Sequence, residues 1–139
     1  MNKQQDIASA LLRLSLAAGF LSAVCSRLGW WGAHSSGWTS FVAYTEQVNA
    51  FLPPSMAPKL AFISTVLETL FGILLLIGYQ TRLAARSSAV LSLLFALAMA
   101  VSNGIKDPLD YSVPAFSAGA FLLSTIPTHR WSVDALLKK

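Results

Sequence analysis

The feature that most restricts this chain is the gathering of its apolar residues into four blocks, about residues 7–27, 59–78, 83–102 and 111–127, parted by short polar stretches. A bilayer core takes roughly 20 residues of helix to cross. Inside hydrocarbon the backbone has to satisfy its own hydrogen bonds, which favours helices. The blocks therefore predict an all-α integral membrane protein: a four-helix bundle folded as one transmembrane domain over residues 1–139. Composition agrees, with 55% apolar and 12% charged residues, outside the balance of soluble domains. The fourth block is the shortest and is interrupted near its start by Pro114.

The longest connection, residues 29–58, holds Trp30, Trp31 and Trp38 in Gly- and Ser-rich sequence, as at the level of lipid headgroups. Within it Trp38, Phe41, Val42, Thr45, Val48 and Leu52 recur at helical spacing opposite Ser40, Glu46 and Asn49. That pattern predicts a short amphipathic helix lying on the membrane and stopped at Pro53-Pro54. The second and third blocks are joined only by Gly78-Tyr79-Gln80-Thr81, a turn suited to antiparallel neighbours. In the third block Ala84, Ser88, Ser92, Ala96 and Ala100 recur every fourth residue, a stripe of small side chains that lets another helix approach closely.

The formal charge of +4 does not point to nucleic acid, because the ten Lys and Arg are scattered singly near block ends. With both termini cytoplasmic, Lys3, Arg82, Arg86, Arg130, Lys138 and Lys139 fall on the inner side and Arg27, Lys59 and Lys106 on the outer. That balance predicts a multi-pass protein of a bacterial inner membrane in this orientation. Cys25 is the sole cysteine, which removes an intramolecular disulfide and a Cys-x-x-Cys redox pair. His34 and His129 fall on opposite sides, so neither paired haem ligation nor another metal site is expected.

Apart from Arg27 and Lys59 at block ends and Arg86 near the start of the third, the charged side chains inside the blocks are Arg13 and Glu68. Burying either charge costs about 2.5–3.5 kcal/mol even on lenient insertion scales, so each needs a partner or a wet cavity. Arg13 lies about 9 Å in from Ile7 and Glu68 about 13 Å in from Ile77, a difference an arginine side chain can bridge. One reading is a structural Arg13–Glu68 ion pair that fixes register. The other is a pocket in which Glu68 exchanges protons with, or hydrogen-bonds, a quinone-like carbonyl while Arg13 stabilises negative charge on the ring. Tyr44, Asn103 and Tyr111 are candidates to add hydrogen bonds at its outer end, or else serve as anchors and caps.

A set of local motifs resembles the DoxX family of small membrane proteins, which includes DoxD-like subunits. The matching residues are Arg13, then Gly19-Phe20, with a basic residue, Arg27, at the end of the first block; Pro53-Pro54; Glu68 with Gly72; and Gly78 leading into Thr81-Arg82-Leu83-Ala84-Ala85. Arg27 stands where many members carry Lys. The resemblance runs over nearly the whole chain and implies a four-helix membrane bundle. For some members it also implies quinone-linked oxidation of sulfur compounds such as thiosulfate beside other subunits. The leading expectation is thus a membrane subunit of an oxidoreductase system, as a homo-oligomer or with a redox partner, binding quinone near Arg13 and Glu68. The alternative is a non-catalytic adaptor that grips another membrane protein through the small-residue stripe. A proton-coupled transporter protomer, hinted at by Glu68, ranks third.

Overall fold

The chain enters its first helix through Asn2, whose side chain accepts from Gln5 N while the Gln5 side chain accepts from Asn2 N, a reciprocal cap for two free N–H groups. The structure, a computed structural model, describes residues 1–138; Lys139, counted above among the inner charges, lies outside them. The first helix, α1, runs Lys3–Arg27. A 3-10 turn at Gly32–His34 leads to α2 (Trp38–Val48), and another at Pro54–Met56 leads to α3 (Ala57–Ile77). Then come α4 (Thr81–Asn103), α5 (Lys106–Asp110), α6 (Val113–Thr125) and α7 (Val133–Leu137). No strand occurs among the described residues.

Packing runs from α1 to α3, from α3 to α4, from α4 to α6 and from α6 back to α1, with α2 laid against α3 and α4. The α1 helix, the stretch Pro54–Ile77 and α4 are long and apolar enough to cross a membrane. The fourth block forms a helix of only 13 residues, about 20 Å against a hydrocarbon core of about 30 Å. Its ends have local causes. Pro114 sits in the first turn, where a missing N–H is harmless, and Pro127 pushes Ile126 into extended backbone. A helix does form in the predicted stretch as α2, with Thr45 and Val48 buried and Glu46 exposed, but it ends at Val48, where the Asn49 side chain donates to Thr45 O, and leaves Leu52 outside it short of Pro53-Pro54.

Large apolar side chains point outward along every long helix: Leu11, Phe62, Leu70, Leu94, Val101 and Phe121 are all exposed. The interior is rich in small ones, including Ala17, Ala61, Ala85, Ser88, Ser92, Ser117 and Ala120, set around Leu16, Phe20, Leu75, Met99 and Leu123. This inversion of the soluble pattern suits lipid outside and close helix contact inside. The α4 stripe is part of that interior, since Ala84, Ser88, Ser92 and Ala96 are buried and the Ser117 hydroxyl of α6 donates to Ala89 O at 2.7 Å. The surface expected to serve an adaptor is thus occupied within the chain. Gly72 belongs to the same logic, because a Cβ there would lie 2.9 Å from Leu21 Cδ2 and 3.3 Å from Phe20 Cβ.

The end of the bundle at the α3–α4 turn is closed by the C-terminal segment. Asp134 accepts from Gln80 N and Thr81 N, both at 2.8 Å, and so caps α4 from across the fold, while Asp134 N donates to Gly78 O at 2.9 Å. Burial alone would raise the Asp134 carboxyl, but the Thr81 and Gln80 N–H groups outweigh it and hold it below the usual carboxylate range. Gly78 is required here, having φ +72° and room for no Cβ: one would meet Ser132 and lie 2.8 Å from Arg13 Nη1.

Beside this clasp His129 is buried, its Nδ1 3.4 Å from Ser9 Oγ. Burial first, then Arg13, Arg82 and Lys138 acting against Asp134, hold it below its ordinary value of 6.5. Below that pH the unfolded chain takes up a proton that the folded chain resists, so stability falls as the pH drops from 6.5 towards the lower folded value. In mild detergent the unfolding midpoint should therefore be lower at about pH 5.5 than at about pH 7.5. His129→Gln should flatten that difference; an unchanged slope in the variant would remove His129 as its cause.

Candidate functional site

The register of α1 against α3 decides which buried charges meet. Arg13 is level with the end of α3: its Nη1 donates to Leu75 O at 2.7 Å and Leu76 O at 2.9 Å, and its Nη2 to Trp131 O at 2.8 Å. Those carbonyls belong to the last turn of a helix and the loop beside it, where a cation also complements the helix dipole. The expected Arg13–Glu68 pair does not form, because Glu68 lies two turns further along α3, about 10 Å from Leu75. Depths counted from Ile7 and Ile77 hold only if both ends lie level; α1 instead begins at Lys3 and overlaps the C-terminal turn of α3 with its middle.

Glu68 pairs with Arg27, whose Nη1 donates to Glu68 Oε2 and, at 3.1 Å, to Thr65 Oγ1. Thr65 Oγ1 in turn donates to Ala61 O at 2.8 Å. The Phe41 ring of α2 covers the guanidinium, its centroid 3.6 Å from Cζ. Side-chain exposure is 9% for Arg27 and 17% for Glu68, so this is an enclosed pair and not a surface one. Arg27 reads as an outer-side topology charge because it stands at the very end of the first apolar block; α1 continues through it and turns it inward. The signal for its role was its place among the family motifs, not hydropathy.

Around the pair lies a cavity of about 340 Å³, lined by Phe20, Phe41, Phe95, Phe116, Tyr111 and Ser92 together with Arg27 and Glu68. It is large enough for a small organic ring. Phe20 and Phe116 meet edge to face with centroids 5.0 Å apart, so α1 and α6 contribute one aromatic wall. Of the residues singled out in the sequence, Glu68 and Tyr111 line this cavity and Arg13 is at the other end of α1. Tyr44 stands behind Phe95, centroids 6.2 Å apart. Burial, then Tyr111 and Asp107, push its hydroxyl above the ordinary value, so it keeps its proton. Asn103 closes α4 and is not in the lining.

Outward apolar faces, small interior side chains and an enclosed charged pair define a multi-pass helical membrane protein. The chain belongs to the DoxX family, whose family model matches residues 8–102. The match spans most of α1 through α4 and contains Arg13, Arg27, Glu68, Gly72 and Gly78; Tyr111 and the Asp134 clasp lie beyond it. It is shorter than the nearly full-length resemblance read from the sequence. No curated protein and no solved structure matches the chain.

Proposed function

We propose that this chain is a membrane subunit of a quinone-linked oxidoreductase system and that a quinone-type ring occupies the cavity beside Arg27 and Glu68. The observation that carries the reading is that cavity: about 340 Å³, walled by Phe20, Phe95 and Phe116, with a carboxylate and a guanidinium in its lining. An aromatic slot with a few convergent polar groups suits a flat, mostly apolar ring with polar oxygens. In this reading α6 is the fourth membrane crossing, α2 lies at the interface, and both termini face the cytoplasm of a bacterial inner membrane.

A bound quinone supplies acceptance of two electrons and two protons. Glu68 meets Arg27 through Oε2, and Oε1 takes no hydrogen bond among the described residues, which leaves it to hold or pass a proton. Arg27 keeps the carboxylate paired and offers positive charge to a ring oxygen. Tyr111 provides a hydroxyl at the mouth. Electrons come from a sulfur compound such as thiosulfate by way of a partner subunit. Arg13 has no part in this site, its guanidinium being committed to three backbone carbonyls.

The test is to purify the protein in mild detergent, extract lipophiles, and count quinone per chain for the wild type and Glu68→Gln, with helix content measured alongside. The expected result is quinone held by the wild type and lost from a still-folded variant. Quinone absent from both, or retained equally by both, overturns the proposal.

A further inference from the structure

At the opposite end of the bundle a second cavity, of about 530 Å³, opens between the start of α4 and the C-terminal segment. Its lining includes Arg82, Arg86, His129, Arg130, Asp134 and Lys138. Four of these are cations and one is an anion, a net charge of +3. Asp134 is already engaged by Gln80 N and Thr81 N, and Arg130 by Asp6 at 3.2 Å. Arg82 and Arg86, one turn apart on α4, have no carboxylate within ion-pair distance among the described residues. Both sit in the first two turns of a 23-residue helix, the end where the helix dipole already favours negative charge. The fold therefore concentrates positive potential here without neutralising it.

A second observation points the same way. His129 is 8% exposed, lines this cavity, and its Nε2 is buried with no hydrogen-bond partner. Ser9 Oγ lies 3.4 Å from Nδ1, and in the tautomer in which the hydroxyl donates there the ring proton sits on Nε2 as an unused donor. Buried donors without partners are rare, and each one asks for an acceptor. Exposed Leu83 and Pro127 stand in the same lining, so the charged floor continues into an apolar wall.

We propose that this cavity binds the phosphate of an anionic phospholipid, with Arg82 and Arg86 supplying the charge and His129 Nε2 a hydrogen bond. Basic pockets between membrane helices on the cytoplasmic side are suited to such headgroups. The apolar wall suits an acyl chain and is of no use to free phosphate, which is why a lipid is the source chosen. The site is separate from the Arg27–Glu68 cavity, so its fate does not depend on that reading.

The probe is phosphatidylglycerol, measured against phosphatidylcholine as lipid retained per chain after detergent exchange, for the full chain. The wild type should retain phosphatidylglycerol selectively. Arg82→Gln with Arg86→Gln, both exposed positions, should bind it roughly 30-fold more weakly, each cation near an anionic surface being worth about a factor of five. Lys59→Gln with Lys106→Gln removes equal charge at the opposite side and should leave retention unchanged. Equal retention of the two lipids, equal loss in the control variant, or displacement of the lipid by millimolar inorganic phosphate overturns the proposal.

Discussion

Arg27→Met should destabilise the protein by about 3–5 kcal/mol, because it leaves the Glu68 carboxylate enclosed without its counter-charge. Thr65 Oγ1 loses its Arg27 donor and Phe41 the cation beneath its ring, so the contact between α1, α2 and α3 loosens at one place. Arg27→Met combined with Glu68→Leu should recover most of that loss, since an apolar pair of similar volume is often as stable as the ion pair it replaces. The double variant should nevertheless hold no quinone. Thermal unfolding in detergent and quinone content, measured on the same three proteins, separate the two roles of the pair. A single variant as stable as the wild type would show that the enclosed charge finds water or another partner, and the structural half of the argument would fall.

Arg13→Leu should also be severe, at about 3–5 kcal/mol, and at the opposite end of the molecule, because three carbonyls lose one charged donor group and each such bond is worth about 1.5–3 kcal/mol. One guanidinium joins the last carbonyls of α3 to Trp131 O in the C-terminal segment. Its removal strips partners from the end of α3 and releases the segment that carries Asp134. Arg13→Lys should recover only part of the loss, because an ammonium on a flexible stem cannot reproduce a planar fork aimed at three acceptors. Limited trypsin digestion gives a local readout: cleavage after Arg130 should be faster in Arg13→Leu than in the wild type under conditions where the helices stay intact. Equal protection of that bond in both proteins would contradict the role assigned to Arg13.

What was legible in the sequence is what hydropathy and punctuation encode. Block length located α1, α3 and α4, and the four-residue spacing of Ala84, Ser88, Ser92 and Ala96 marked a face that is indeed interior, whereas α2 ends at Val48, before the Pro53-Pro54 stop. Register was not legible, because nothing local says which residue of α1 stands beside which residue of α3. That offset decides whether Glu68 meets Arg13 or Arg27. Arg27 was hidden by its position at the end of the first block, where a charge ordinarily reaches water. The Asp134 cap was hidden for another reason, since it sits more than fifty residues from the N–H groups it serves. Capping rules look one turn away, not across a fold.

That cap has a consequence for how the protein is made. Gln80 and Thr81 leave the ribosome long before residue 134, so α4 enters the membrane with its first N–H groups lacking the carboxylate that later accepts from them. A stretch synthesised much later is thus the one that completes a hairpin already made, and Trp131 O reaches Arg13 only at the same late moment. Insertion and locking are therefore separate events in this chain. A nascent protein halted before Asp134 would hold its apolar helices in the bilayer with the α3–α4 turn still open.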